Sequence, residues 1–80
     1  MPETKIADFR GEDCPGPLIK AIKALAEAKK GDTIVVLTTS SRCVEMIKEI
    51  VESLGLGNIN ILQKEGYVEV VLEKTAEGGI

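Results

Sequence analysis

Two cysteines hold the reactive chemistry of this 80-residue chain, Cys14 and Cys43, placed 29 positions apart with no second pair. That count excludes a four-cysteine zinc site and a disulfide framework. The sequence has no histidine and no tryptophan, and Phe9 and Tyr67 are its only aromatics. Imidazole acid–base chemistry, histidine-ligated metals and aromatic platforms for nucleic-acid bases therefore drop out, and neither a metal nor a cofactor is expected. What remains is sulfur. A thiolate attacks disulfides and persulfides, and its reactivity follows its pKa and its exposure.

The two cysteines sit in different surroundings. Cys14 opens the run Cys14-Pro15-Gly16-Pro17. Each proline fixes its own φ and biases the preceding residue away from the helical region. Cys14 and Gly16 are thus both predicted to be extended, with the thiol just outside a helix in which Pro17 takes the first position. Both prolines lack an N–H, which leaves Gly16, Leu18 and Ile19 as the expected backbone donors near the sulfur. With the positive end of the helix dipole they favour a thiolate, or the anionic terminal sulfur of a persulfide. Gly16 also removes a side chain that would screen the sulfur. Glu12 and Asp13 oppose a thiolate, with Arg10 and Lys20 available to offset them, so a somewhat acidified thiol is expected. Cys43 shares helical spacing with Ile47 and Ile50, which assigns it to packing; its alternative is a second thiol that closes a disulfide with Cys14.

The elements that must position these residues follow from periodicity. Residues 5–9 read as a short strand closed by Gly11. From Leu18, the residues Ile19, Ala21, Ile22, Leu25, Ala26 and Ala28 recur at helical spacing, with Gly31 as the expected stop. Residues 33–38 are an apolar, β-branched run that suits a central strand. Val44, Ile47, Val51 and Leu54 mark a second helix ended by Gly55, with Thr38, Thr39, Ser40 and Ser41 as candidate caps. Residues 58–63 and 67–73 read as strands joined by a hairpin at Lys64-Glu65-Gly66, and Thr75 to Ile80 as a frayed tail.

Two helices cover only one face of four strands. The expected fold is therefore an α/β (α+β) two-layer sandwich of order βαβαββ, a four-stranded mixed sheet with two helices on one face, forming a single domain over residues 1–80. If each strand–helix–strand unit crosses over to a parallel strand, both helices begin at one edge of the sheet, and both sulfurs with them. The second strand, Ile34 to Leu37, is apolar on both faces, so one pair of its residues lies on the open face, a candidate partner surface.

Composition bounds the partners. With 44% hydrophobic and 29% charged residues the chain is too apolar for disorder and lacks the unbroken apolar run of a membrane span. Residues 1–40 hold six basic and six acidic side chains and residues 41–80 hold four and seven, for a net charge of −3. Direct nucleic-acid binding is not expected. Lys20 and Lys23 lie in a locally basic segment, read either as a solvated face or as docking for an acidic partner. No secretory signal precedes Gly11, which places the chain in the cytoplasm with reduced thiols.

At Asp8-Phe9-Arg10-Gly11-Glu12-Asp13-Cys14-Pro15-Gly16-Pro17-Leu18 the sequence resembles the D-x-R-G-x-x-C-P-x-P-L signature of the TusA/SirA-like sulfur carrier family. The likeness extends over roughly residues 5–74 and implies the same βαβαββ plan. It implies that Cys14 accepts sulfane sulfur as a persulfide from a cysteine desulfurase or a rhodanese-like protein and passes it to an acceptor protein. Family acceptors serve tRNA thiolation, molybdenum cofactor assembly or sulfur oxidation. Asp8, Arg10, Gly11, Pro15, Gly16 and Pro17 are then the supporting motif residues; Asp8 and Arg10 read as a structural pair or, alternatively, a site pair, with Arg10 the one that would touch a partner or stabilise the sulfur anion. Members often carry an acidic residue soon after the second strand, where this chain has Thr38-Thr39-Ser40-Ser41, and Cys43 lies outside the shared motif. Two other functions fit the residues: a thiol redox protein cycling a Cys14–Cys43 disulfide, and a non-catalytic binding or regulatory module.

Overall fold

The computed structural model describes residues 2–75, and the expected tail at 76–80 lies outside the described residues. The elements run β1 (Thr4–Asp8), α1 (Gly16–Glu27), β2 (Thr33–Thr38), α2 (Ser41–Leu54), β3 (Gly57–Lys64) and β4 (Tyr67–Lys74). They form one sheet of order β1-β2-β4-β3. β2 is parallel to β1 and antiparallel to β4, which is in turn antiparallel to β3. The mixed four-stranded sheet with two helices is the architecture that the periodicity predicts, and β2 is an interior strand as its apolar run requires.

Alternation decides which face the helices cover. Ile34 and Val36 of β2 and Val70 and Leu72 of β4 are buried beneath Ala21 and Leu25 of α1 and Ile47 and Val51 of α2. On the opposite face Ile6 pairs in register with Val35, and Val35 with Val71. Ile6 is 70% exposed. The open face of the sheet thus carries the second apolar row that the sequence of β2 demands. Two residues assigned to apolar helix stripes lie at the edges of those stripes instead: Ile19 is 62% and Leu54 45% exposed.

The end of α1 differs from the expected stop at Gly31. The helix closes at Glu27, and Ala28 turns extended with its N–H donating to the Leu25 carbonyl at 3.2 Å. Its C-terminal carbonyls have a partner from the far end of the chain: the buried Lys74 Nζ donates to Leu25 O at 2.9 Å and to Ala26 O at 3.1 Å. A cation at a helix C-terminus also answers the negative end of the dipole. The following turn is held by Asp32, whose carboxylate accepts the N–H of Glu3 at 2.9 Å and of Lys29 at 3.0 Å. Gly31, at φ 96°, serves this turn and not the helix end. Thr75, expected to fray, donates its N–H to Leu56 O at 3.1 Å.

Two predictions follow from these contacts. A side chain at Gly57 would run into the Glu73 carbonyl oxygen of the paired strand. Gly57→Ala is therefore expected to lower the unfolding free energy by about 2 kcal/mol or more in urea titration. The N–H donors from Glu3 and then Lys29 hold the Asp32 carboxyl below the usual carboxylate range. A folded pKa below the unfolded one contributes stability that is present above roughly pH 4 and lost as pH falls through the folded value. Asp32→Asn should accordingly be less stable than the wild type at neutral pH, with the gap closing on acidification below that point.

Candidate functional site

The approach to Cys14 is a tight loop pinned to the start of α2. Phe9 N–H donates to Leu37 O at 2.8 Å, one bond beyond the last residue of β1, and Glu12 N–H closes a turn onto Phe9 O at 3.0 Å. Gly11 sits in that turn at φ 85°, a conformation that favours glycine, and donates its N–H to Thr39 Oγ1 at 3.1 Å. Asp13 Oδ1 then accepts two hydrogen bonds, from the Cys14 N–H at 2.9 Å and from the Ser40 hydroxyl at 3.1 Å. The segments leading into the two helices are thus fastened to each other by side chains as well as by the sheet.

Cys14 precedes α1, as its prolines predict, and is half-buried. The Cys14–Pro15 peptide is cis. α1 begins at Gly16, so Pro17 is its second residue and Gly16 is helical, where the sequence predicts Pro17 first and Gly16 extended. The difference has a steric cause: the clash that proline imposes on its predecessor acts partly through Cβ, which glycine lacks. Ile19 N–H is spent on Pro15 O at 3.1 Å, which reduces the expected sulfur-facing donors to Gly16 and Leu18. No side chain caps α1.

Cys43 is the third residue of α2. Its N–H donates to the Oγ of Ser40, the N-cap, at 3.3 Å. The side chain is 0% exposed, as the packing assignment requires. Packing is nevertheless not its whole role, because the Cys43 Sγ is bonded to the Cys14 Sγ, across a Cα–Cα separation of 5.5 Å. That span is ordinary for a disulfide, so the pairing needs no backbone movement. Both sulfurs stand at the end of the sheet where both helices begin. With the pair oxidised neither sulfur titrates, and the acidified thiol expected at Cys14 is a property of the reduced protein.

Asp8 and Arg10 pair with each other on the surface. Arg10 grips Asp8 through Nε–Oδ1 at 2.9 Å and Nη2–Oδ2 at 2.7 Å, with its own N–H on Oδ1 at 3.1 Å. These bonds, the side-chain pair first, lower the Asp8 carboxyl to about 2 and raise the Arg10 guanidinium. Arg10 also lies 5.2 Å from the centre of the Tyr67 ring. It is committed to this pair on the surface and makes no hydrogen bond or ion pair with Glu12 or Asp13. Lys20 does approach Glu12, at 3.9 Å, and lies 5.7 Å from the Phe9 ring centre. Lys23 flanks a shallow apolar hollow of about 320 Å³ lined by Leu18, Ile19, Ile22 and Ile50. Asp13, expected only as a charge opposing the thiolate, proves to be the bridge between the two helix starts; the sequence signal for its partner was the run of hydroxyls ending at Ser41.

The sequence model of the family described as Sulfurtransferase TusA matches residues 5–74. The chain belongs to this family. The match spans every element from β1 to β4. A protein of Archaeoglobus fulgidus is 32% identical over 69 residues, covering 86% of this chain and 94% of its own length. One of Methanocaldococcus jannaschii is 30% identical over 70 residues, covering 88% of this chain and 93% of its own length. Both relatives bear the description "putative sulfur carrier protein". The crystal structure of a SirA-like protein from Desulfitobacterium hafniense superposes with a TM-score of 0.78 at 29% identity, covering 92% of this chain and 99% of that one. The matched span includes Cys14 and the loop that leads to it.

Ser40 is the residue on which both ties converge. Ser40→Ala removes the cap of α2 and the bridge to Asp13, and is expected to cost about 1 kcal/mol of unfolding free energy. It should also shift the Cys14–Cys43 pair toward the dithiol in a glutathione redox titration, because the two segments are no longer held together.

Proposed function

We propose that this protein is a sulfur carrier in which Cys14 takes up sulfane sulfur as a persulfide and hands it to an acceptor protein. The observation that carries this reading is the placement of Cys14: a half-buried cysteine in a tight loop, just before a helix with no side-chain cap. A thiolate there is stabilised by the helix terminus and is reachable by a second protein. The names of the archaeal relatives support the same reading.

The transfer is an exchange between sulfurs. In the reduced protein the Cys14 thiolate attacks the outer sulfur of a donor persulfide, and the donor cysteine leaves as a thiolate. Delivery repeats the step with Cys14 as the leaving group. No general base or metal is required of the carrier, which suits a chain without histidine. The donor is a cysteine desulfurase or a rhodanese-like protein, and the acceptor belongs to tRNA thiolation, molybdenum cofactor assembly or sulfur metabolism. Lys20 and Lys23, both exposed on α1, are the contacts offered to an acidic partner. Arg10, Gly11 and Asp8 shape the loop, and Pro15, Gly16 and Pro17 start the helix. A cytoplasmic setting fits this exchange among thiols; no helix among the described residues is long and apolar enough to cross a membrane.

A second reading is favoured by one observation, the Cys14–Cys43 bond itself. A redox protein that cycles this disulfide needs both cysteines, whereas a carrier needs only Cys14. Incubation of the reduced protein with a cysteine desulfurase and cysteine should add the mass of one sulfur, lost in Cys14→Ser and kept in Cys43→Ser. Sulfur uptake by Cys14→Ser would overturn the carrier assignment.

A further inference from the structure

The Cys14–Cys43 disulfide is an unequal pair. Cys14 is half-buried at the surface, whereas Cys43 is 0% exposed, so a nucleophile from solvent reaches only the Cys14 sulfur. The displaced sulfur is then Cys43, at the third position of α2. The positive dipole end of that helix offsets the cost of a buried thiolate there, which lets it act as the leaving group. The nucleophile meets Glu12 and Asp13 flanking the loop. Their charges disfavour a thiol that carries carboxylates of its own, such as glutathione, more than a small monoanion. Hydrosulfide is the small sulfur nucleophile that fits these limits.

We propose that the oxidised protein takes up hydrosulfide directly on Cys14, and so acquires sulfane sulfur without a donor protein. This rests on the carrier reading only for what happens to the sulfur afterwards. In the step itself, hydrosulfide attacks the Cys14 Sγ and a new S–S bond forms. The bond to Cys43 breaks, Cys43 leaves as a thiolate, and the persulfide proton passes to that thiolate or to water. The sulfide sulfur gives up two electrons, which the disulfide accepts. Once an acceptor has taken the sulfane sulfur, both cysteines are thiols, and a disulfide oxidant must restore the pair before the next uptake.

Besides the disulfide, two ties join the segments that carry the cysteines: Asp13 to Ser40 at 3.1 Å and Gly11 to Thr39 at 3.1 Å. Cys43 consequently stays beside Cys14 after the bond opens. Its thiolate can attack the inner sulfur of the persulfide, closing the disulfide and returning hydrosulfide. Uptake is therefore reversible until an acceptor intervenes.

The test uses the wild-type chain in its two oxidation states. Oxidised protein is mixed with one equivalent of sodium sulfide, quenched with an alkylating reagent and digested for mass spectrometry. The expected result is one added sulfur on the Cys14 peptide with Cys43 recovered as an alkylated thiol, and no added sulfur when reduced protein is treated identically. Sulfur on the Cys43 peptide, equal uptake by the reduced protein, or no uptake by the oxidised protein would each overturn the proposal. Charging of reduced protein by a desulfurase is measured in parallel. Success there with failure here removes only this inference, and the converse removes only relay from a protein donor.

Discussion

The direction of the strands is the constraint on which the site depends. β4 lies between β2 and β3 and is antiparallel to both, so β3 runs the same way as β2, and β2 the same way as β1. Each helix therefore leaves the same end of the sheet and returns to the other. Two residues far apart in sequence, each just at the start of a helix, are brought to one place by chain direction alone. The disulfide, the Asp13–Ser40 bond and the Gly11–Thr39 bond all exploit that convergence. Reversing the direction of either β1 or β2 would carry one cysteine to the opposite end.

Much of this was legible in the sequence because the signals were local. The β-branched run from Thr33 to Thr38, the helical spacing of Val44, Ile47 and Val51, and Gly55 and Gly66 at positive φ each act through their immediate neighbours. What was not legible depended on residues remote in sequence. Gly31 is a sound stop for α1 by local rules, but Lys74 claims the carbonyls of Leu25 and Ala26, which a longer helix would have paired internally. A faint signal existed there: Lys74 continues the buried series of Val70 and Leu72, and its charge conceals the pattern. The pairing of Arg10 with Asp8, only two positions away, was legible by contrast, and its bidentate geometry holds the guanidinium there.

The electrostatics around Cys14 resolve in an economical way. The two acidic residues before it looked hostile to a thiolate. Glu12 is met by Lys20, and Asp13 spends one oxygen on a hydroxyl and on the Cys14 N–H. The carboxylates are thereby turned to structural use while the helix terminus remains uncapped. The family match spans the loop and both cysteines, and Cys43 adds to the CPxP loop a thiol from the second helix. It gives a surface sulfur a buried companion, and with it two oxidation states.

Lys74 has a consequence for how the molecule assembles. Its ammonium group bonds to carbonyls 49 and 48 positions earlier, at the closing turn of α1. A helix of 12 residues is marginal on its own, and the last carbonyls of this one gain their donor only when the last residue of the last strand is in place. The first helix and the last strand are therefore completed together. Such long-range closure raises the share of distant contacts in the folding barrier and makes local opening at the end of α1 an event that also releases the end of β4. The cysteine-bearing end of the molecule is held by its own separate ties, so it can exchange sulfur without loosening the end that keeps the chain cooperative.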